Sequence, residues 1–147
     1  MAHAVVPPDF AVPFGKARVR REGTDLTILA YGTPVHFALE AAAKLEKEGH
    51  SAEVVDLRSL SPLDTEAIVA SVKKTHRVLI AHEDKVFGGF GGELAAMAAS
   101  ECFPWLDAPV ERVGSEFTPG GFNRILERAI LPNAEKVLVA ARKVLAF

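Results

Sequence analysis

One cysteine, Cys102, stands among 147 residues, which rules out an intrachain disulfide and any cysteine-rich metal site. Dithiol redox chemistry is excluded with it. Aromatic side chains make up 7% of the chain, with a single tryptophan and a single tyrosine, and none is interleaved with the densest basic cluster, Lys16 to Arg21, as base stacking requires. Seventeen basic against nineteen acidic residues leave a formal net charge of −2, so no broad field draws nucleic acid or an anionic membrane. No apolar run approaches the ~20 residues needed to cross a bilayer. The opening residues, MAHAVVPPDF, lack the basic start and long apolar middle of a secretion signal, and a cytoplasmic setting is the expectation.

What is present is a globular composition, 49% hydrophobic and 24% charged, at a length that buries one sizeable core. Residues 1–15, with prolines at 7, 8 and 13, cannot build regular structure and read as a linker or the tail of a preceding domain. Residues 16–147 read as the folded domain. Lys16, Arg18, Arg20 and Arg21 form the densest basic cluster; with Val19 between two arginines they suit a charged, half-exposed edge strand, where charge blocks pairing with other chains. Turn residues 22–25 and the apolar run Leu26 to Tyr31 then predict a hairpin with that strand.

The middle of the chain alternates strand and helix signals. After Gly32, Thr33 is an N-cap candidate and Pro34 fits the first helical position. Val35, Ala38, Leu39 and Ala42 recur at helical spacing, and Gly49 stands where a left-handed residue closes a helix. The run EVVDLRSLSPLDTEAI, residues 53–68, reads as a buried strand, a polar turn stopped by Pro62, and a helix capped by Asp64. Ile68 and Val72 mark that helix's inner stripe, and Lys73 and Lys74 suit its negative end. Val78 to Ala81 is an uninterrupted strand of the kind buried on both faces. A glycine-rich turn leads into an alanine-rich helix carrying Leu94, Met97 and Ala98 inward; Val110 to Val113 is a fourth parallel-strand candidate. Ile125 to Ile130 reads as a short helix, and Asn133 as the cap of a final helix through Leu145. The architecture predicted is a three-layer α/β/α sandwich, mainly parallel with one antiparallel edge strand.

Ligands of such sheets sit at the carboxyl ends of the strands. Glycines 88, 89, 91 and 92 invite a dinucleotide-loop reading, but Glu93 and Leu94 follow, so G-x-G-x-x-G is incomplete and Glu93 repels a phosphate at the helix start. Tight loop packing explains the glycines better. His82 and Glu83, adjacent on a strand, point to opposite faces and cannot serve one reacting atom. His36 and Glu40 share a helical face without further ligands nearby. Cys102 reads as a small buried apolar residue.

The segments TDLTILAYGTPVHFALEAAAKLEKEGH, DLRSLSPLD and SVKKTHRVLIAHEDKVFGGFGGE together resemble the C-terminal domain of the transketolase superfamily. The likeness is strongest to the β subunit (E1 β) of thiamine-diphosphate-dependent 2-oxoacid dehydrogenases, and it runs from about Phe14 to Phe147. The resemblance implies a parent enzyme that oxidatively decarboxylates a 2-oxoacid and acylates lipoyl-E2. It places thiamine diphosphate and magnesium in other domains, with no catalytic, cofactor or metal residue in this chain, which is expected to be inactive alone. It implies an E1 α subunit, a second β subunit and the subunit-binding domain of the acyltransferase E2 as partners, with neither nucleic acid nor membrane. Phe147, through its terminal carboxylate, and Asp107 are the E2-docking candidates, with His82 and Glu83 at a further partner contact. The sequence departs from the pattern at Phe117 to Phe122, FTPGGF, which loses an acid and a proline, and at Asp84 and Lys85 after the His-Glu pair. Two other readings stay open: a free-standing small-anion module using Thr33, Arg58 and Gly89, and the equivalent domain of a transketolase or deoxyxylulose-phosphate synthase.

Overall fold

The computed structural model describes residues 10–147; most of the expected linker thus lies outside the described residues. Five strands form one sheet: β1 (Arg18–Arg21), β2 (Leu26–Ala30), β3 (Ala52–Asp56), β4 (Val78–Lys85) and β5 (Glu111–Ser115). Five α-helices accompany them: α1 (Pro34–Lys47), α2 (Thr65–Thr75), α3 (Gly91–Glu101), α4 (Arg124–Ile130) and α5 (Ala134–Leu145). The spatial order is β1-β3-β2-β4-β5, with β2 parallel to β3 and β4, and β4 parallel to β5. Only β1 runs antiparallel. Helices α1 and α5 cover one face, where Leu26, Ile28, Val54, Leu79 and Val137 pack together. On the other face α2 and α3 bury Leu29, Val55, Ile68, Ile80 and Leu94. The three-layer sandwich is therefore as the sequence predicts. Among the described residues no helix is long and apolar enough to cross a membrane.

The predicted hairpin is not formed. β1 pairs with β3, Arg18 opposite Asp56 and Val19 opposite Val55, and β3 stands between β1 and β2. The reason lies in β3: its first four residues are all buried, so an edge position would waste two apolar faces, whereas the charged β1 suits an edge. The 22–25 segment crosses the amino end of β3 instead of reversing. Thr24 and Asp25 both donate backbone N–H groups to the Ser51 carbonyl, at 3.0 and 2.8 Å. A Cβ on Gly23 would stand 2.2 Å from the Glu53 nitrogen, so only glycine permits this crossing. Val19 retains 42% exposure, and the half-buried alternation expected of β1 is absent because neither of its faces carries a full helical layer. Arg20 and Arg21 pair with Asp56 and Glu46.

Helix ends follow the sequence except in one detail. Asp64 accepts the Ala67 N–H at 3.3 Å and Asn133 accepts the Lys136 N–H at 3.0 Å, each capping its helix. Thr33 occupies the N-cap position of α1 but makes no side-chain capping bond; its own backbone is already helical, which carries the hydroxyl away from the free N–H groups. Gly49 closes α1 with φ +88°.

A polar cluster ties α2 to the sheet. Glu53 is 1% exposed; its carboxylate accepts from Ser71 Oγ and Lys74 Nζ, and from the Gly23 N–H at 3.4 Å. Thr27 adds hydroxyl contacts of 2.7 Å to Ser71 and to Thr75. Removing one partner of a buried ion pair costs about 3–5 kcal/mol, and less when that partner reaches water. Since the Lys74 side chain is 41% exposed, Lys74→Met should lower stability by about 1–3 kcal/mol. The double variant Glu53→Gln, Lys74→Met should cost less than the two single losses added together, as read from urea unfolding midpoints.

Candidate functional site

The candidate residues separate to opposite ends of the sheet. His82 and Glu83 lie toward the carboxyl edge, Asp107 and Phe147 at the amino edge.

At the carboxyl edge His82 is fully buried. Its ring stacks on Tyr31 with centroids 6.2 Å apart and planes at 23°, and Tyr31 meets Phe90 edge-on. A Cβ on Gly91 would sit 2.2 Å from His82 Nε2, and one on Gly114 would sit 3.0 Å from it. These glycines therefore exist to admit the imidazole. Neither ring nitrogen has a hydrogen-bond partner. Burial holds the His82 pKa below the ordinary histidine value; the Arg112 charge acts in the same direction and Asp84 against it. Glu83 is exposed and on the opposite face, so the two share no reacting centre. The glycine run is likewise full: a Cβ on Gly89 would meet the Lys85 carbonyl at 2.2 Å, and the Gly92 N–H already donates to the Gly89 carbonyl. That space does not fit a diphosphate.

Past the strand ends the same edge is apolar and open. Phe87, after β4, packs edge-on against Phe117, after β5, with centroids 5.0 Å apart. Lys85 Nζ donates to the Thr118 carbonyl at 2.6 Å, joining the two loops. Helix α4 buries none of its residues, leaving Ile125 77% and Leu126 54% exposed beside the fully exposed Phe122.

The three anion-module candidates do not converge. Thr33 is exposed at the start of α1. Arg58 spends its guanidinium on the Lys16 and Ala17 carbonyls, at 2.9 and 3.2 Å. Gly89 is buried beneath Asp84. His36 is exposed and Glu40 pairs with Lys44 at 3.2 Å instead; among the described residues no group of three His, Cys, Asp or Glu is arranged to hold a metal. Cys102 is buried, and burial pushes its thiol pKa up, away from nucleophilic thiolate.

At the amino edge Asp107 donates its backbone N–H to the His76 carbonyl at 2.8 Å, and its carboxylate approaches Arg77 at 3.9 Å. Phe147 follows α5 and is 66% exposed. The last turns of α5 are fixed by Arg142, which meets both Glu48 oxygens at 3.0 and 2.6 Å, and by Lys143, 2.7 Å from Glu111. Arg142 in turn holds the Glu48 carboxyl below its ordinary range. Sequence reasoning passed over Phe103 and Arg112. Their only signal was the run of alanines opposite them on α3, too many for one buried stripe.

A buried neutral histidine makes the unfolded state the stronger proton binder, so stability rises with pH across its window. The His82 contribution should be complete above about pH 6.5 and lost as pH falls toward its depressed folded value. Urea midpoints should fall more steeply as the pH is lowered from about 7.5 to about 5 for the natural chain than for His82→Gln, the difference isolating His82 from the other histidines.

Comparison with known proteins places the chain. The family described as transketolase, C-terminal domain, matches residues 15–137. The 2-oxoisovalerate dehydrogenase subunit beta of Bacillus subtilis (strain 168) is 44% identical over 140 residues, spanning 95% of this chain and 43% of the relative. The mitochondrial pyruvate dehydrogenase E1 component subunit beta of Pisum sativum is 45% identical over 139 residues, spanning 95% and 39%. Among solved structures, a split-gene transketolase described as an inactive β4 tetramer superposes with a TM-score of 0.81 at 37% identity, covering 98% of this chain and 46% of that one. The chain thus spans under half the length of these relatives, and over that span it belongs to the transketolase C-terminal domain family.

Proposed function

We propose that the chain is the assembly and partner-docking domain of a β subunit of a thiamine-diphosphate-dependent 2-oxoacid dehydrogenase, with residues 16–147 as the domain and 1–15 as its link to what precedes it. The parent enzyme oxidatively decarboxylates a 2-oxoacid and passes the acyl group to lipoyl-E2. This domain supplies surface and no catalytic group: thiamine diphosphate and magnesium belong to the companion portions, and the filled glycine run agrees with that division.

The observation that carries the reading is the apolar carboxyl edge. Phe87, Phe117, Phe122, Ile125 and Leu126 lie open around the strand ends, a density that marks an interaction surface rather than scattered exposure. The similarity to named E1 β subunits supports the companion portions of such an enzyme as its occupant. At the amino edge Asp107 already faces Arg77, which leaves the Phe147 carboxylate as the anchor for E2.

Reconstitution with an E1 α subunit and the amino-terminal portion of an E1 β chain tests the carboxyl edge. Decarboxylation of a 2-oxoacid should depend on adding this chain. Phe122→Asp with Ile125→Asp should fail to restore that activity without moving the melting temperature, since neither side chain is buried. Reconstitution by the doubly charged variant at the natural level would refute the reading. A charge-assisted hydrogen bond is worth about 1.5–3 kcal/mol, so extending the chain beyond Phe147 should weaken E2 subunit-binding domain on the order of ten- to a hundredfold in titration calorimetry.

A further inference from the structure

The register of β4 against β5 shifts between Ala81 and Lys85, and His82 is the buried side chain set into that irregularity. The loop carrying Phe87 ends at Gly91, and the loop carrying Phe117 begins just after Gly114. Both glycines lie against the same imidazole. The loop bases are also joined by polar bonds: the Val86 N–H donates to the Ser115 carbonyl at 3.0 Å, and Arg112 Nη1 donates to the Val86 carbonyl at 2.9 Å. The charged and titratable groups around the ring are Asp84 on β4, Arg112 on β5 and the Tyr31 phenol after β2; Glu83 and Glu93, the acid of the first turn of α3, are exposed. A protonated ring would carry two buried N–H donors with no acceptor, beside a guanidinium and the positive end of α3. Asp84 offers a way out. Two residues on, it lies against the same loop, its carboxylate 3.0 Å from the place of a Cβ on Gly89, and it is exposed.

We propose that His82 is a proton-operated latch for the carboxyl edge: the neutral ring holds the two loops together, and the imidazolium leaves its seat for Asp84 and lets them part. Buried among groups that cannot accept its protons, the charged ring is stable only where it reaches a carboxylate. When it turns toward Asp84, Gly91 and Gly114 lose the contact that fixes both loop bases, and the Phe87 and Phe117 rings, 5.0 Å apart, lose their common footing. The neutral state is complete above about pH 6.5 and gives way as the pH falls. Asp84 takes no part in that neutral state, where one of its oxygens accepts the neighbouring Lys85 N–H at 2.7 Å; it acts only in the acid state. The proposal adds regulation to the edge argued above to receive the companion portions, and it rests on that reading for its consequence alone: the aromatic rim is offered in ordered form only while His82 is neutral.

Amide hydrogen exchange of the purified chain between about pH 7.5 and about pH 5, corrected for the intrinsic pH dependence of exchange, tests the latch. Protection of residues 84–92 and 114–118 should fall at least about tenfold on acidification, while β2 and β3 keep theirs. In His82→Gln, whose side chain stays uncharged, protection of those loops should not respond to pH. In Asp84→Asn the fall should move to lower pH, because the imidazolium has lost its acceptor; Asp84 is exposed, so this variant keeps the test open even where His82→Gln does not fold. Loops that hold their protection at the acid end, a fall spread evenly over the sheet, a pH response retained by His82→Gln, or an Asp84→Asn response at the natural pH would each overturn the proposal. These outcomes are separable from the docking reading. Exchange is read on the chain alone, so loops that open on acidification stand even if reconstitution fails, and reconstitution that succeeds beside unresponsive loops removes the latch only.

Discussion

A carboxylate taken out of water must be met by donors from several directions, and Glu53 is met from three. Its partners come from α2, through Ser71 and Lys74, and from the crossing at Gly23. Because Glu53 sits on β3, the strand that separates β1 from β2, satisfying this one group fixes the helix, the crossing and β3 together. Thr27 extends the set to β2 by sharing Ser71 and Thr75. An apolar residue at the same place would pack the helix but would not specify how far along the sheet it sits. The polar cluster supplies register, while the leucines and valines on both faces supply most of the stabilisation.

With the layers fixed, the molecule presents two ends of different character. The carboxyl end, where α/β enzymes commonly hold ligands, is plugged by its own histidine and glycines and then opens into bare aromatic and aliphatic surface. The amino end is polar and pinned by ion pairs, with the chain terminus standing clear. Between them the α3 and β5 side carries small residues framed by opposite charges.

Much of this was legible in the residues. Val54 and Val55 marked β3 as a buried strand and the uninterrupted run Val78 to Ala81 marked β4 as one buried on both faces, and Asp64, Asn133 and Gly49 marked helix ends by stereochemistry that tertiary structure did not override. The opposite directions of His82 and Glu83 followed from strand alternation alone. The failure at the hairpin has a definite cause: turn residues 22–25 signal a change of direction, but which strand the chain meets next depends on β3, about thirty residues further on. Local signals hold no information about that choice. That Phe103, Asp107 and Arg112 line one groove is hidden for the same reason, since they belong to a short helical turn, a loop and a strand that meet only after the crossover from α3. The sequence of residues 117–122 marks a changed loop, but the joint exposure of Phe117 and Phe122 follows from α4 burying none of its residues.

The stitching of the entry segment has a geometric consequence. Gly15 hydrogen-bonds to Ser59 and packs on Pro62, Ala17 donates to Asp64, and Arg58 grips the carbonyls of Lys16 and Ala17. These contacts clamp the segment leading into β1 to the turn ahead of α2. The chain therefore enters β1 from the carboxyl end of the sheet, since Arg18 stands opposite Asp56, the last residue of β3.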